Sequence, residues 1–137
     1  MSVLKKEVNP TKNTTIQTLE RIKGINLQKA LEFFSGSEEL YLSILKQFIT
    51  ECRENLADIK KGLNSSDFQL AITASHKLKG TASNIFVTQV FEQAKRLELI
   101  LRRAKTPLSN TSKIKIKESF DQLKIATAEF MTSIENL

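Results

Sequence analysis

His76 is the only histidine in the 137-residue chain, and Cys52 is the only cysteine. One of each excludes a disulfide framework and a self-contained Cys/His zinc site. What remains is imidazole chemistry, because a neutral, nucleophilic ring is available at pH 7 and can take up an electrophilic group. On a helix each residue advances about 100°, which puts Leu78 about 160° from His76, Ala71 about 140° and Ala82 about 120° away. His76 therefore points off the apolar stripe, towards water. Gly80 and Ser83 share its face, as does Thr73, with Gln69 one turn beyond. Glycine inside a helix costs roughly 1 kcal/mol relative to alanine, so Gly80 calls for a reason, and a cleared space beside the imidazole is one. Lys79, three residues on, can bring its ammonium to that space, whereas Lys77 lies about 100° round. An exposed imidazole, a cleared patch and a cation suit a phosphoryl group carried on the ring. No metal or acidic group for the transfer is visible nearby, so a partner would supply them. On periodicity alone an ordinary surface histidine is the commoner outcome, and the spacing leaves it open.

The elements that would hold His76 are helical. Tyr41, Leu45, Phe48, Cys52, Leu56, Ile59 and Leu63 step by fours and threes, one stripe of an amphipathic helix over about 37–63. Ser37 is expected to cap it. Ser66 or Asp67 would cap the next helix, whose buried stripe is Phe68, Ala71, Ser75, Leu78, Ala82 and Ile85. After a break near 86–88, with Thr88 as cap, Val90, Ala94, Leu97, Leu101 and Ala104 form a third stripe. Residues 106–112 read as a loop. A last helix is expected from about Lys113 to the end, with Ile116, Phe120, Leu123, Thr127, Phe130, Ile134 and Leu137 buried. Before these, an extended stretch around Asn9-Pro10 precedes a short helix over about 15–23, stopped by Gly24, and Asn26 caps a second short helix. Four long helices with short connections predict an all-α fold, an antiparallel four-helix bundle with one or two short additional N-terminal helices. Cys52 and the phenylalanines, Phe33 and Phe34 included, read as core, and Tyr41 packs where the short helix meets the bundle.

Lys and Arg number 21 against 15 Asp and Glu, a net charge of +6. The excess is not spread evenly: residues 1–24 carry +3, 102–137 carry +3, and 25–101 sum to zero. A nucleic-acid reader more often places its basic residues on the element entering the groove. With no Trp and one Tyr, no base-stacking platform is offered. No uncharged run approaches the about 20 apolar residues of a membrane span, and no signal peptide is visible, so a cytoplasmic location is expected.

His76-Lys77-Leu78-Lys79-Gly80-Thr81-Ala82 resembles the H-x-L-K-G-[SAT]-A signature of histidine-containing phosphotransfer (HPt) domains of bacterial multistep phosphorelays. Gly24-Ile25-Asn26-Leu27 with Ala30-Leu31 is similar to the family's lead-in helix. Gly36-Ser37-Glu38-Glu39-Leu40-Tyr41, through Leu45 and Phe48, resembles its G-[DS]-x-E-L-Y helix start, and Ala94 with Leu97-Glu98 resembles its A-x-x-L-E. The likeness is strongest over 24–104, which would make 1–23 a polar, basic lead-in or tether and 24–137 the bundle. It implies that His76 is the phosphoacceptor, Lys79 the phosphate-side cation and Gly80 the opening for access. Gln69, Thr73, Lys77 and Ser83 would line the docking face, helped by apolar residues such as Leu70 and Ile72. Two positions depart from the pattern: Ser83 and Phe86 stand where many members have small residues. Phe86 is expected to alter the bend after the histidine helix, its ring in the core or capping the bundle end. The resemblance implies a monomeric phosphocarrier, not a stand-alone enzyme, with no cofactor or metal of its own. Its partners would be response-regulator receiver domains, which bring Mg²⁺, and a hybrid sensor histidine kinase in cis or trans. The rival readings are a helical interaction module that is never phosphorylated, and a basic-flanked domain binding nucleic acid or anionic lipid.

Overall fold

A computed structural model describes the backbone of residues 10–137 and the side chains from Thr15 onward. Asn9 and the basic residues Lys5 and Lys6 lie outside the described residues. The chain forms α1 (Pro10–Glu20), α2 (Leu27–Phe33), α3 (Glu38–Asn64), α4 (Phe68–Asn84), α5 (Thr88–Arg103) and α6 (Asn110–Glu135), and no strand occurs among the described residues. The four long helices pack in chain order: α4 lies between α3 and α5, and α5 lies against α6. Helices α3 and α6 close the bundle with sparser contact, α1 lies along α3, and α2 touches the start of α3. This is the all-α four-helix bundle that the periodicity predicts, and of the one or two short N-terminal helices expected, two occur among the described residues.

The stripes become the core. Tyr41, Leu45, Cys52, Ile59, Leu78, Ala82, Leu97, Leu123 and Thr127 have no exposed surface. Leu56 and Leu63 are only half-buried, and Asn55 and Gly62 take the inner positions beside them. Leu137, expected inside, is exposed beyond the end of α6, and Phe33 is 68% exposed. Phe34 alone of that pair turns inward, with its ring 5.3 Å from that of Tyr41.

Helix ends follow their capping chemistry, with five departures from expectation. Asn26 accepts from Lys29 N–H at 3.1 Å and Asp67 from Leu70 N–H at 3.2 Å, each pairing an orphan donor of a first turn. Ser37 occupies the N-cap of α3 but its hydroxyl makes no capping bond. Val87, not Thr88, is the N-cap of α5. Helix α6 begins at Asn110 rather than Lys113, because Ser109 accepts from Ser112 N–H at 3.1 Å and starts the helix three residues sooner. Pro10 is helical rather than extended, in the first turn where proline's fixed φ suits a helix, and α1 ends at Glu20 instead of reaching 23.

The junction after α4 is clasped from the lead-in side. Tyr41 Oη donates to the Ile85 carbonyl at 2.8 Å in the buried interior. Asn26 N–H donates to the Phe86 carbonyl at 2.9 Å, and Gln89 N–H to the Gly24 carbonyl at 3.2 Å. Gly24, at φ +81, packs so closely on Gln89 that a Cβ would lie 3.1 Å from the Gln89 Cβ. Phe86 takes φ +63, a left-handed conformation that costs a bulky residue roughly 1–2 kcal/mol. Its ring is half-buried and stands 5.6 Å from Phe33, so it caps the bundle end rather than filling the core. These contacts fix the C-terminal end of the histidine helix.

Candidate functional site

Helix α4 buries Ala71, Ala74, Ser75, Leu78 and Ala82, and the Ser75 hydroxyl is satisfied by the Ala71 carbonyl at 2.8 Å. These small residues leave the opposite face free for His76, whose side chain is 60% exposed. Across the seam, α5 turns Ala94, Leu97 and Glu98 inward. Glu98 is the hub. Its Oε2 lies 3.0 Å from His76 Nδ1 and 2.8 Å from Arg102 Nε, and its Oε1 lies 2.8 Å from Lys79 Nζ. The Glu98 side chain is only 7% exposed. Burial opposes its ionisation, but hydrogen bonds from Lys79, Arg102 and His76, with the Lys79 charge, outweigh it and bring the carboxyl down to about 2. Glu98 is therefore a carboxylate at neutral pH and can only accept. The Nδ1 of His76 must then carry the proton, which leaves the lone pair of a neutral ring on Nε2, on the side away from Glu98.

A Cβ at Gly80 would meet nothing within 4 Å, so the position opens onto free space. Lys79 does not extend freely over that space: its side chain is 27% exposed and anchored to Glu98. Lys77 and Ser83 are exposed, as are Gln69 and Thr73, which are joined by a 3.3 Å bond from Gln69 Nε2 to Thr73 Oγ1. Leu70 and Ile72 are half-buried. On the far side of α4, Thr81 Oγ1 donates to Glu51 Oε1 at 2.9 Å, a link to α3.

Spacing along α4, which leaves the acidic groups needed for transfer to a partner, does not place Glu98, 22 residues away in sequence, beside His76. Arg102 was equally unforeseen. A signal was present: Glu98 lies on the α5 stripe, four residues after Ala94 and three before Leu101. A charge there is costly unless a cation from a facing helix meets it. Cys52 has no part in the site. Burial, reinforced by the Glu51 charge, pushes its thiol up to about 12 despite Arg53. No group of three His, Cys, Asp or Glu side chains among the described residues could hold a metal ion. No described helix is long and apolar enough to cross a membrane.

Comparison with known proteins bears on this geometry. The family model described as "Hpt domain" matches residues 43–126, more than half of the chain and all of the seam between α4 and α5. Among solved structures, histidine-containing phosphotransfer protein B (HptB) from Pseudomonas aeruginosa PAO1 is similar with a TM-score of 0.61 and 19% identity, over 84% of this chain and 97% of that one. The HPT domain from the Hpt sensor hybrid histidine kinase of Shewanella is similar with a TM-score of 0.61 and 19% identity, over 83% and 96%. At that identity the likeness establishes the fold. A search of curated proteins finds no significant match.

Proposed function

The chain belongs to the Hpt domain family of phosphorelay phosphotransfer modules, and from that premise we propose that His76 Nε2 accepts and returns the phosphoryl group. Hpt domains work with receiver domains and hybrid kinases. The observation that carries the assignment is the exposed imidazole whose Nδ1 is engaged by the buried, ionised Glu98, beside the open space at Gly80.

The step balances as a displacement at phosphorus. A receiver carrying phospho-aspartate docks over the exposed face of α4, where Gln69, Thr73, Lys77 and Ser83 are exposed. The Nε2 lone pair attacks the phosphorus in line. An N–P bond forms, the acyl phosphate P–O bond breaks, and its electron pair leaves on the aspartate oxygen. The ring keeps its Nδ1 proton and becomes cationic as the bond forms, and Glu98 stabilises that charge without taking the proton. Lys79 and Arg102, both paired with Glu98, leave the cluster a net charge of +1, which offsets part of the about −1.5 to −2 that a phosphoryl group brings. The Mg²⁺ and the acidic pocket at the leaving oxygen are assigned to the receiver. Reversal passes the group to the next receiver, which makes the chain a carrier whose contribution is positioning and charge.

Incubation with a panel of ³²P-labelled receivers tests the assignment. Label is expected on the native chain from at least one receiver and is expected to be absent from the His76→Gln variant. Label that persists on that variant, or a native chain that no receiver labels, would overturn it.

A further inference from the structure

On the opposite edge of the bundle from His76, where α3 and α6 contact each other sparsely, the structure leaves a groove of about 530 Å³. Its floor is apolar: Leu63 from α3, Phe68 from the start of α4, Leu108 from the preceding loop, and Ile116 and Phe120 from α6. Its rim is basic. Lys60 stands on the α3 side, and Lys113, Lys117 and Lys124 run along the α6 side. The only acidic side chain lining the groove, Asp121, is shared between Lys117 at 3.0 Å and Lys124 at 3.3 Å. Lys124 also sits over the Phe120 ring, 4.8 Å from its centroid. Lys60 and Lys113 enter no ion pair among the described residues and are exposed.

The geometry points to a second docking site, independent of His76, for an acidic amphipathic helix of a partner protein. An apolar floor between two helices matches the apolar face of a third, the helix-in-groove mode of recognition. The distribution of charge selects the occupant. Lysines flank both sides, and those on α6 extend over twelve residues, about 16 Å of helix. A ligand with one charged head would engage one end of that row, whereas a helix with carboxylates flanking its apolar face engages its length. The site lies across the bundle from the seam between α4 and α5, so a partner held there leaves the phosphotransfer face free.

The test is a titration of the full chain with a fluorescein-labelled 18-residue synthetic peptide. The peptide carries Leu and Phe at i, i+3, i+4 and i+7 spacing with Glu on the flanking positions. It is followed by anisotropy and by ¹H–¹⁵N spectra. We expect saturable binding that weakens with added salt and shifts resonances of Lys60, Phe68, Ile116 and Phe120. Affinity should fall at least tenfold in the Lys60→Glu/Lys113→Glu variant and by less in the Lys60→Gln/Lys113→Gln variant. It should be unchanged in His76→Gln, and circular dichroism should show all three variants folded. Absence of saturable binding would overturn the inference, as would equal affinity for a peptide with Lys in place of Glu, or indifference to the charge-reversed pair. Tighter filling of the same residues by sodium dodecanoate would reassign the groove to a single-headed amphiphile. Self-association through these residues without peptide would reassign it to a second copy of the chain.

Discussion

With Glu98 ionised and buried 3.0 Å from His76 Nδ1, loss of its carboxylate would free the imidazole to rotate and to move its proton between nitrogens. It would also leave Lys79 and Arg102 without their shared counter-charge. A hydrogen bond to a charged group is worth about 1.5–3 kcal/mol, and this one strengthens as the ring becomes cationic, so Glu98→Ala should slow phosphotransfer by roughly 10- to 100-fold. Single-turnover transfer from a phosphorylated receiver measures this, with circular dichroism confirming the fold. Stability carries a second signature. Glu98 titrates near 4.5 when unfolded and near 2 when folded, so its stabilisation is complete above pH 4.5 and lost as pH falls towards 2. The full difference is on the order of 3 kcal/mol. Thermal melts should therefore show the native chain losing its advantage over Glu98→Gln across that window, with the gap widest at neutral pH. Equal gaps at pH 2 and pH 7 would contradict the linkage. His76, Lys79 and Gly80 were legible in sequence because their spacing on one helix turns a residue interval into an angle. Glu98 and Arg102 were not placed, because which side chain of α5 meets His76 depends on how two helices pack across a seam.

At the scale of elements, two helical glycines of identical local cost separate cleanly. A Cβ at Gly62 would stand 2.7 Å from the Asp67 carbonyl oxygen and 2.8 Å from Ala71 N, at the tight turn from α3 into α4. Gly62→Ala should therefore destabilise by about 1–3 kcal/mol through overpacking against backbone that cannot move aside. Gly80 faces open space, so Gly80→Ala should stabilise by about 0.5–1 kcal/mol through helix propensity and the unfolded chain, and Gly80→Leu should slow transfer while keeping the fold. Urea denaturation of the alanine variants reads both signs; a Gly80→Ala variant less stable than the native chain would show that this glycine serves packing rather than access. The long helices were readable because stripes such as Tyr41–Leu45–Phe48–Cys52 repeat over many turns. Their ends were less so. Ser37 and Thr88 are good capping types, yet neither hydroxyl caps its helix: the entry to α3 is a local turn closed by Ser37 N–H on the Phe34 carbonyl, and the entry to α5 is fixed by tertiary bonds at Ile85 and Phe86. Phe86 at φ +63 follows from those same bonds, and no local preference of phenylalanine announces it.

Across the whole molecule, the charge that first suggested nucleic acid divides by position. Residues 25–101, which include all of α2 to α4 and nearly all of α5, sum to zero, while Lys113, Lys117 and Lys124 of the C-terminal surplus gather along the groove between α3 and α6. The bundle thus presents the His76 edge between α4 and α5 and a basic, apolar-floored edge across from it. That separation was invisible in sequence, since Lys60 and Lys113 come together only when α6 folds back beside α3. The proposed function turns on which atom of the molecule takes the phosphoryl group. Phosphorylating the uniformly ¹⁵N-labelled full chain with phosphoramidate, a small donor that needs no partner, and recording ³¹P and ¹⁵N spectra of its imidazole locates that atom. A single phosphoryl group bonded to Nε2 of His76 is expected, with Nδ1 still protonated against Glu98 and no signal from His76→Gln. Phosphorus bonded to Nδ1, or to any other residue, would contradict it.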